Sequence, residues 1–442
     1  MDAVPPDNAA LEKRTYRKAW LRIIPLIALG YGIAYIDRVN ISFASLQMNR
    51  DLNFSATVYG FGAGLFFLSY AACEVPSNLM LYRFGARRWL ARIMVTWGVV
   101  AMAMVLVRTP TQFYIARFAL GMAEAGFFPG VIFYLTQWFP PELRARSITG
   151  FYIAWPLSYV VMGIIAGGLM SLDGRLGLSG WQWLFAVEGL PAVILGLVFF
   201  ILLPDSPATA AWLTDSERYT MLLRLRSRVS DDPSERPASI ASTLRDSRVC
   251  LLGMFMFCML ACSYAYGFYA PAIVQKLTGL SITNTGFVIA AIYVVGAAAM
   301  LGNGILSDRT RRPLWGIIPG CLMMSGGFLA LGLSMVPGVA LTGLLAIIVA
   351  HMSLQGPLLA LATSFLKGRA AAAGIAAMNT IGIVGAFVGP YWMGIAKDLT
   401  GNYQRGLVTM AVPMLIAAGI LFFVLRKSGR MPGHLTVRPA TS

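Results

Sequence analysis

The chain has 442 residues, of which 57% are hydrophobic and only 12% charged, and its mean hydropathy is +0.69. A soluble globular protein of that length must cover its surface with polar side chains, so the composition excludes one and points to a multi-span membrane protein. The net charge of +16 is explained by Lys and Arg placed beside anionic lipid, and nucleic-acid binding is not needed to account for it.

After a polar, Pro-containing amino-terminal tail, apolar runs predict helices at 20–46, 56–81, 89–107, 111–138, 147–170 and 182–203. The run after Lys18 has span length and leads into further spans rather than a small-residue cleavage site, so no cleavable signal peptide is expected. Residues 204–248 are the longest polar stretch, rich in Ser, Arg, Asp and Pro, and read as a linker. A second set of spans follows at 249–277, 283–306, 314–335, 338–365, 371–396 and 404–426. The expected architecture is an all-α membrane protein of twelve transmembrane helices in two six-helix halves, 1–203 and 249–442, the second ending in a tail. The five cysteines lie inside apolar runs, and neither disulfides nor a metal site is indicated.

Of the 35 Lys and Arg residues, 27 fall in the tails, the central linker and the even-numbered loops, six fall on the opposite side, and Arg38 and Arg117 lie within spans. The positive-inside rule therefore predicts that both termini and the linker are cytoplasmic.

The first span carries Asp37, Arg38 and Asn40 beyond an uncharged run from Ile23 to Ile36. Charges at membrane depth are costly and normally face a protein interior or a water-filled path. In the fourth span Arg117 and Glu124 are seven residues apart, on one helix face, with Gly121 between them and Gly126, Pro129 and Gly130 permitting a bend beyond. A neutral structural ion-pair network would account for the four charges. A functional reading uses them differently: Arg stays protonated and presents a fork that matches carboxylate oxygens, which suits an anionic substrate. Asp37 and Glu124 are acids that can gain and lose a proton. His351 is read as a packed, hydrogen-bonded residue, and Glu74 and Glu188 as helix acids. No phosphate-binding Gly-Lys-Ser loop or nucleophilic Ser motif appears, so ATP-driven transport and membrane enzymology lack their parts.

The eighth span exits through Gly304-Ile-Leu-Ser-Asp308-Arg309-Thr310-Arg311-Arg312, and the second through Asn78-Leu-Met-Leu-Tyr82-Arg83, with Arg87 and Arg88 following. A Gly, an acid four residues on and clustered Arg resemble the loop motif of the major facilitator superfamily. In the first copy Asn78 and Tyr82 stand where the motif has Gly and Asp. Tyr35-Ile-Asp37-Arg38-Val-Asn40, Arg117 with Glu124, Trp138-Phe139-Pro140 and Gly389-Pro390-Tyr391 with Lys397-Asp398 narrow the resemblance to the anion:cation symporter family, across nearly the whole chain. It implies proton-coupled uptake of a small organic anion by alternating access. Asp37 and Glu124 would serve proton coupling, Arg38, Arg117, Tyr35, Tyr70 and Asn379 substrate binding, and Arg83, Asp308 and Arg309 a cytoplasmic gate. Trp155 lies on an aromatic face of the fifth span where some relatives place an amide. The expected partners are the anion, protons and the lipid bilayer, with no nucleic acid and no cofactor. The expected setting is the inner membrane, with the protein working as a monomer. A facilitator, an antiporter of an aromatic carboxylate and a transporter-derived sensor remain alternatives.

Overall fold

The computed structural model describes residues 6–226, 247–310, 314–334, 336–365 and 369–427. Its α-helices are α1 (Pro6–Asp51), α2 (Ala56–Phe84), α3 (Ala86–Ala103), α4 (Pro110–Glu124), α5 (Phe127–Trp138), α6 (Pro141–Tyr152), α7 (Ala154–Met170) and α8 (Gly180–Leu202). They continue as α9 (Asp215–Arg226), α10 (Ser247–Gly267), α11 (Ala270–Thr278), α12 (Ile282–Thr310), α13 (Leu314–Leu333), α14 (Pro337–Phe365), α15 (Arg369–Thr400) and α16 (Gln404–Lys427). Among the described residues, 11 stretches are long and apolar enough to cross a membrane. The 32-residue α15 completes the predicted set of twelve.

The departures from the predicted elements have local causes. α1 is 46 residues long, roughly 69 Å at 1.5 Å per residue, against a hydrocarbon layer of about 30 Å, so it extends well beyond the bilayer. The fourth span is broken: α4 ends at Glu124, Ala125 is extended, and Gly126 takes φ +87° before α5 begins. That left-handed backbone favours glycine, so the break is written into the sequence at Gly126. The seventh span divides at Phe268 and Tyr269 into α10 and α11. Within the predicted linker, α9 forms because Thr214 and Glu217 cap each other. Glu217 Oε2 accepts from Thr214 N at 3.0 Å, and Glu217 N donates to the Thr214 hydroxyl at 3.3 Å. Lys18 Nζ donates to Glu217 Oε2 at 2.7 Å and holds α9 against α1.

In the first set, α2 packs on α4, α3 on α8, and α1 on α7 and α8; in the second, α10 packs on α15, α13 on α14 and α16, and α12 on α14. The main contacts that join the sets are α2 against α15 and α7 against α12, and α1 also meets α11. Both main contacts lie toward the face opposite the termini. There, the Asp398 carboxylate accepts from the backbone amides of Ala56 (3.1 Å) and Thr57 (2.8 Å), capping α2 from α15. The Tyr269 hydroxyl lies 3.2 Å from the Ala56 carbonyl and 3.0 Å from that of Pro390. On the other side, Gly163 and Gly286 meet so closely that a Cβ on either would run into the carbonyl of the other. The Tyr159 and Tyr293 rings stack 4.0 Å apart beside them. The two helix sets are thus clasped at one face, with a cavity between that clasp and the terminal face.

Candidate functional site

The first span brings Tyr35, Asp37, Arg38 and Asn40 to mid-bundle, and the break after Glu124 brings the end of α4 and the start of α5 to the same level. Arg38 donates through Nε (2.9 Å) and Nη2 (2.5 Å) to one oxygen, Oε1, of Glu124. Glu124 Oε2 has no hydrogen-bond partner, and its carboxylate is 1% exposed. The Arg38 guanidinium lies 5.0 Å from the Tyr35 ring, 5.3 Å from Phe66 and 5.2 Å from Tyr70. An ion pair ringed by aromatic faces is desolvated on most sides, which strengthens it relative to a surface pair and makes loss of one partner costly.

This pair forms one wall of a cavity of about 170 Å³. Tyr35, Arg38, Tyr70, Glu124 and Asn379, five of the residues assigned to the site from sequence, line it together. Asp37 and Arg117 do not. Arg117 is fully buried behind Phe66, its guanidinium 5.0 Å from that ring, and its one hydrogen bond is a long 3.4 Å contact from Nη2 to the Ala63 carbonyl. Asp37 is 2% exposed with both oxygens unpartnered. Phe66 therefore stands between two guanidiniums, one facing the cavity and one set in the protein. Nothing in the sequence separates those two arginines, because the separation depends on which side of Phe66 each helix passes.

Several lining residues carried other readings or none. Glu74 lies in the cavity wall, one turn from Tyr70, and interacts with the Arg38 charge. On the opposite wall, His351 joins Tyr266 (Nδ1 to hydroxyl, 2.7 Å) and Gln355 (Nε2 to Nε2, 3.0 Å). Both ring nitrogens are thus occupied, so His351 positions Gln355, which also lines the cavity. Trp155 packs 5.4 Å from the His351 ring and 5.8 Å from Tyr35, and so forms the roof between the two walls. Tyr152, on the same aromatic face of the fifth span as Trp155, completes an aromatic lining with Tyr31, Phe67 and Tyr264, the last three legible in the sequence only as apolar helix faces. Of the residues assigned to a gate, Arg83 is exposed, its guanidinium 5.6 Å from the Phe84 ring. The side chains of Asp308 and Arg309 lie outside the described residues. Among the described residues no group of three or more His, Cys, Asp or Glu converges as metal ligands.

The arrangement is a small enclosed site with one cation, held by an acid, at one wall, and neutral amide and aromatic groups at the other. It can bind an anion and a proton at neighbouring positions. It contains no activated nucleophile.

Residues 27–390 match the family profile described as Major Facilitator Superfamily. The chain is 43% identical over 426 residues to a putative tartrate transporter of Agrobacterium vitis, covering 95% of this chain and 96% of that one. It is 36% identical to a quinolone resistance transporter of Acinetobacter baumannii, covering 95% and 96%. Among solved structures it superposes on a bacterial homolog of the human lysosomal transporter Spinster, in an inward-facing and unoccupied conformation, with a TM-score of 0.77 at 17% identity, covering 93% and 97%.

Proposed function

The chain belongs to the Major Facilitator Superfamily, and from that premise we propose that it is a proton-coupled carrier for uptake of a small organic anion, a hydroxy-dicarboxylate or sugar acid, by alternating access. It is a multi-pass membrane transporter rather than an enzyme.

The observation that carries this reading is that the cation in the cavity wall, Arg38, is held by an acid, Glu124, which is itself buried. While Glu124 is charged, Arg38 is neutralised and an incoming carboxylate meets competition. A proton on Glu124 cancels that competition and frees the Arg38 fork for the substrate. Proton and anion then bind together, and each favours the other by linkage. Asp37 sits behind this pair and feels the charges of Glu124, Arg117 and Arg38, so its protonation is coupled to the same event. Tyr35, Tyr70 and Asn379 supply hydrogen bonds around the anion. The tartrate name of a relative supports a hydroxy-dicarboxylate. The two six-helix sets, 1–203 and 249–442, rock about the site, linked by 204–248, with the termini cytoplasmic and the clasped face periplasmic. The carrier works as a monomer in the inner membrane.

The test is Glu124→Gln, which keeps the shape of a protonated Glu but cannot ionise. Binding of tartrate or gluconate and exchange of labelled for unlabelled substrate should persist, while concentration of substrate by a pH gradient should be lost. Uphill uptake equal to the parent's would move the coupling role elsewhere.

The aromatic lining supports a second reading. Trp155, Tyr35, Tyr152 and Tyr264 offer ring faces that suit a flat aromatic carboxylate moved by facilitation or exchange. Benzoate-type ligands that stabilise the protein where hydroxy acids do not, with no proton moved, would select it.

A further inference from the structure

Behind the cavity wall a second polar cluster joins α1 to α8. Asp37 and Asn40, three residues apart on α1, face Glu188 of α8. The three are 2%, 0% and 5% exposed. Both carboxylate oxygens of Asp37, both amide atoms of Asn40 and both carboxylate oxygens of Glu188 lack a hydrogen-bond partner. Asn40 adjoins both acids, and the acids act on each other. Neither Asn40 nor Glu188 lines the cavity, so the proposed function leaves these two residues unused.

The charges around it do not balance. Arg38 and Arg117 face three buried acids, Asp37, Glu124 and Glu188, leaving one negative charge in excess. Arg38 is taken by Glu124, and Arg117 acts on Asp37. The groups that act on Glu188 are Asn40 and Asp37, neither of them a cation. The other elements packed on α8 bring none: α7 carries Tyr159 as its one titratable side chain, the turn Met104–Leu106 carries none, and α3 meets α8 here through Gly98 and Met102. The arginines of α3, Arg87, Arg88 and Arg92, all lie in its first two turns. An uncompensated carboxylate in such surroundings takes up a proton instead of staying charged. A neutral Glu188 has an O–H to give the Asn40 carbonyl, and the Asn40 amide can then point its N–H groups at Asp37. That arrangement gives partners to atoms that otherwise have none.

We propose that Glu188 is a third proton site of the carrier, joined through Asn40 to Asp37 and additional to Glu124. The transport role of that proton rests on the proposed symport; its presence on Glu188 does not. The site holds its proton away from the cavity, on the helix that packs behind α1, and exchanges it with solvent.

Infrared spectroscopy of the purified full-length protein in lipid vesicles at neutral pH reads this directly, with the proton and deuteron as the only probes. The Glu124→Gln background removes Glu124, the acid paired with Arg38, from the spectrum. In that background, the carbonyl-stretch band of a buried protonated carboxylic acid is expected. It should shift on transfer to D2O, persist in Asp37→Asn and disappear in Glu188→Gln. A band unchanged by Glu188→Gln, or lost in Asp37→Asn, assigns the proton elsewhere and overturns the proposal. A band that does not move in D2O marks a locked structural proton and overturns it too. If Glu188→Gln does not fold, Glu188→Asp keeps the acid and must displace the band; an undisplaced band overturns the assignment. Since no substrate is present, failure here is separate from failure of gradient-driven uptake, which tests the symport reading.

Discussion

Arg38 and Arg117 have the same chemistry and different tasks. Arg38 lays two nitrogens on Glu124 Oε1 at the cavity wall, whereas Arg117 is buried behind Phe66 with Nε and Nη1 unpartnered. Arg38→Lys keeps the charge and loses the planar fork, so substrate affinity should fall by about 10- to 100-fold, the worth of one charge-assisted hydrogen bond of roughly 1.5–3 kcal/mol. Arg117→Lys should change affinity less and thermal stability more, because its partners are protein groups. Ligand titration and thermal unfolding of the two variants, side by side, check both statements. Equal losses of affinity would show that Arg117 reaches the substrate in another state of the carrier. Asp37, Arg38, Arg117 and Glu124 all stand out in the sequence as charges in apolar helices. Their pairing does not, because the i, i+7 spacing of Arg117 and Glu124 places them on one face while Glu124 is taken by a residue of another helix.

At the level of elements, the far-face clasp depends on close backbone approach. Gly286→Leu should leave insertion intact and reduce uptake at least tenfold, on the order of the 1.4 kcal/mol that a tenfold shift requires. The side chain removes the α7–α12 contact that only the clasped state makes. Cysteine-accessibility labelling at the far face should rise in this variant; unchanged labelling would sink the explanation. A second contact can be read by pH. Burial alone would raise the Glu217 carboxyl, but hydrogen bonds from Lys18 and Thr214 N, with the Lys18 charge, outweigh it and hold the carboxyl below the ordinary glutamate range. A lowered acid stabilises the folded form above its unfolded value and loses that contribution as pH falls through the folded one. The attachment of α9 to α1 should therefore be intact at neutral pH and loosen below about pH 4, near and below the unfolded glutamate value. Glu217→Gln should remove that acid dependence at a cost of about 0.5–1 kcal/mol, limited by the partial exposure of Lys18. Hydrogen exchange in α9 against pH measures it. The Thr214-Asp-Ser-Glu217 capping pattern was there to be read in the sequence, inside a stretch whose polarity suggested only a linker.

For the whole molecule, the asymmetry of 27 Lys and Arg residues against six makes orientation a matter of membrane insertion, independent of the substrate. Reporter fusions after Leu203 should be cytoplasmic and those near Arg175 periplasmic. The opposite pattern would invert the direction assigned to the clasp and to proton flow. The far face has its own ties: Gln47 donates to Asp173 Oδ1 at 2.7 Å, and Trp181 N donates to Gln47 Oε1 at 3.1 Å, binding α1, the loop and α8 together.

What the sequence determined by itself is what the bilayer imposes residue by residue. Span number, helical state, the two-set arrangement as an expectation and the positions of costly charges all follow from hydropathy and from the need to pair every backbone group in lipid. The break at Gly126 follows from local chemistry. Only the tertiary structure decided which of those charges meet. It drew Glu74, Gln355 and His351 into the cavity wall, set Arg117 and Asp37 behind it, and left Glu188 beside Asn40 with no cation near. The reason is physical: transfer to lipid depends on composition along one helix, whereas pairing and desolvation depend on distances between helices far apart in the chain.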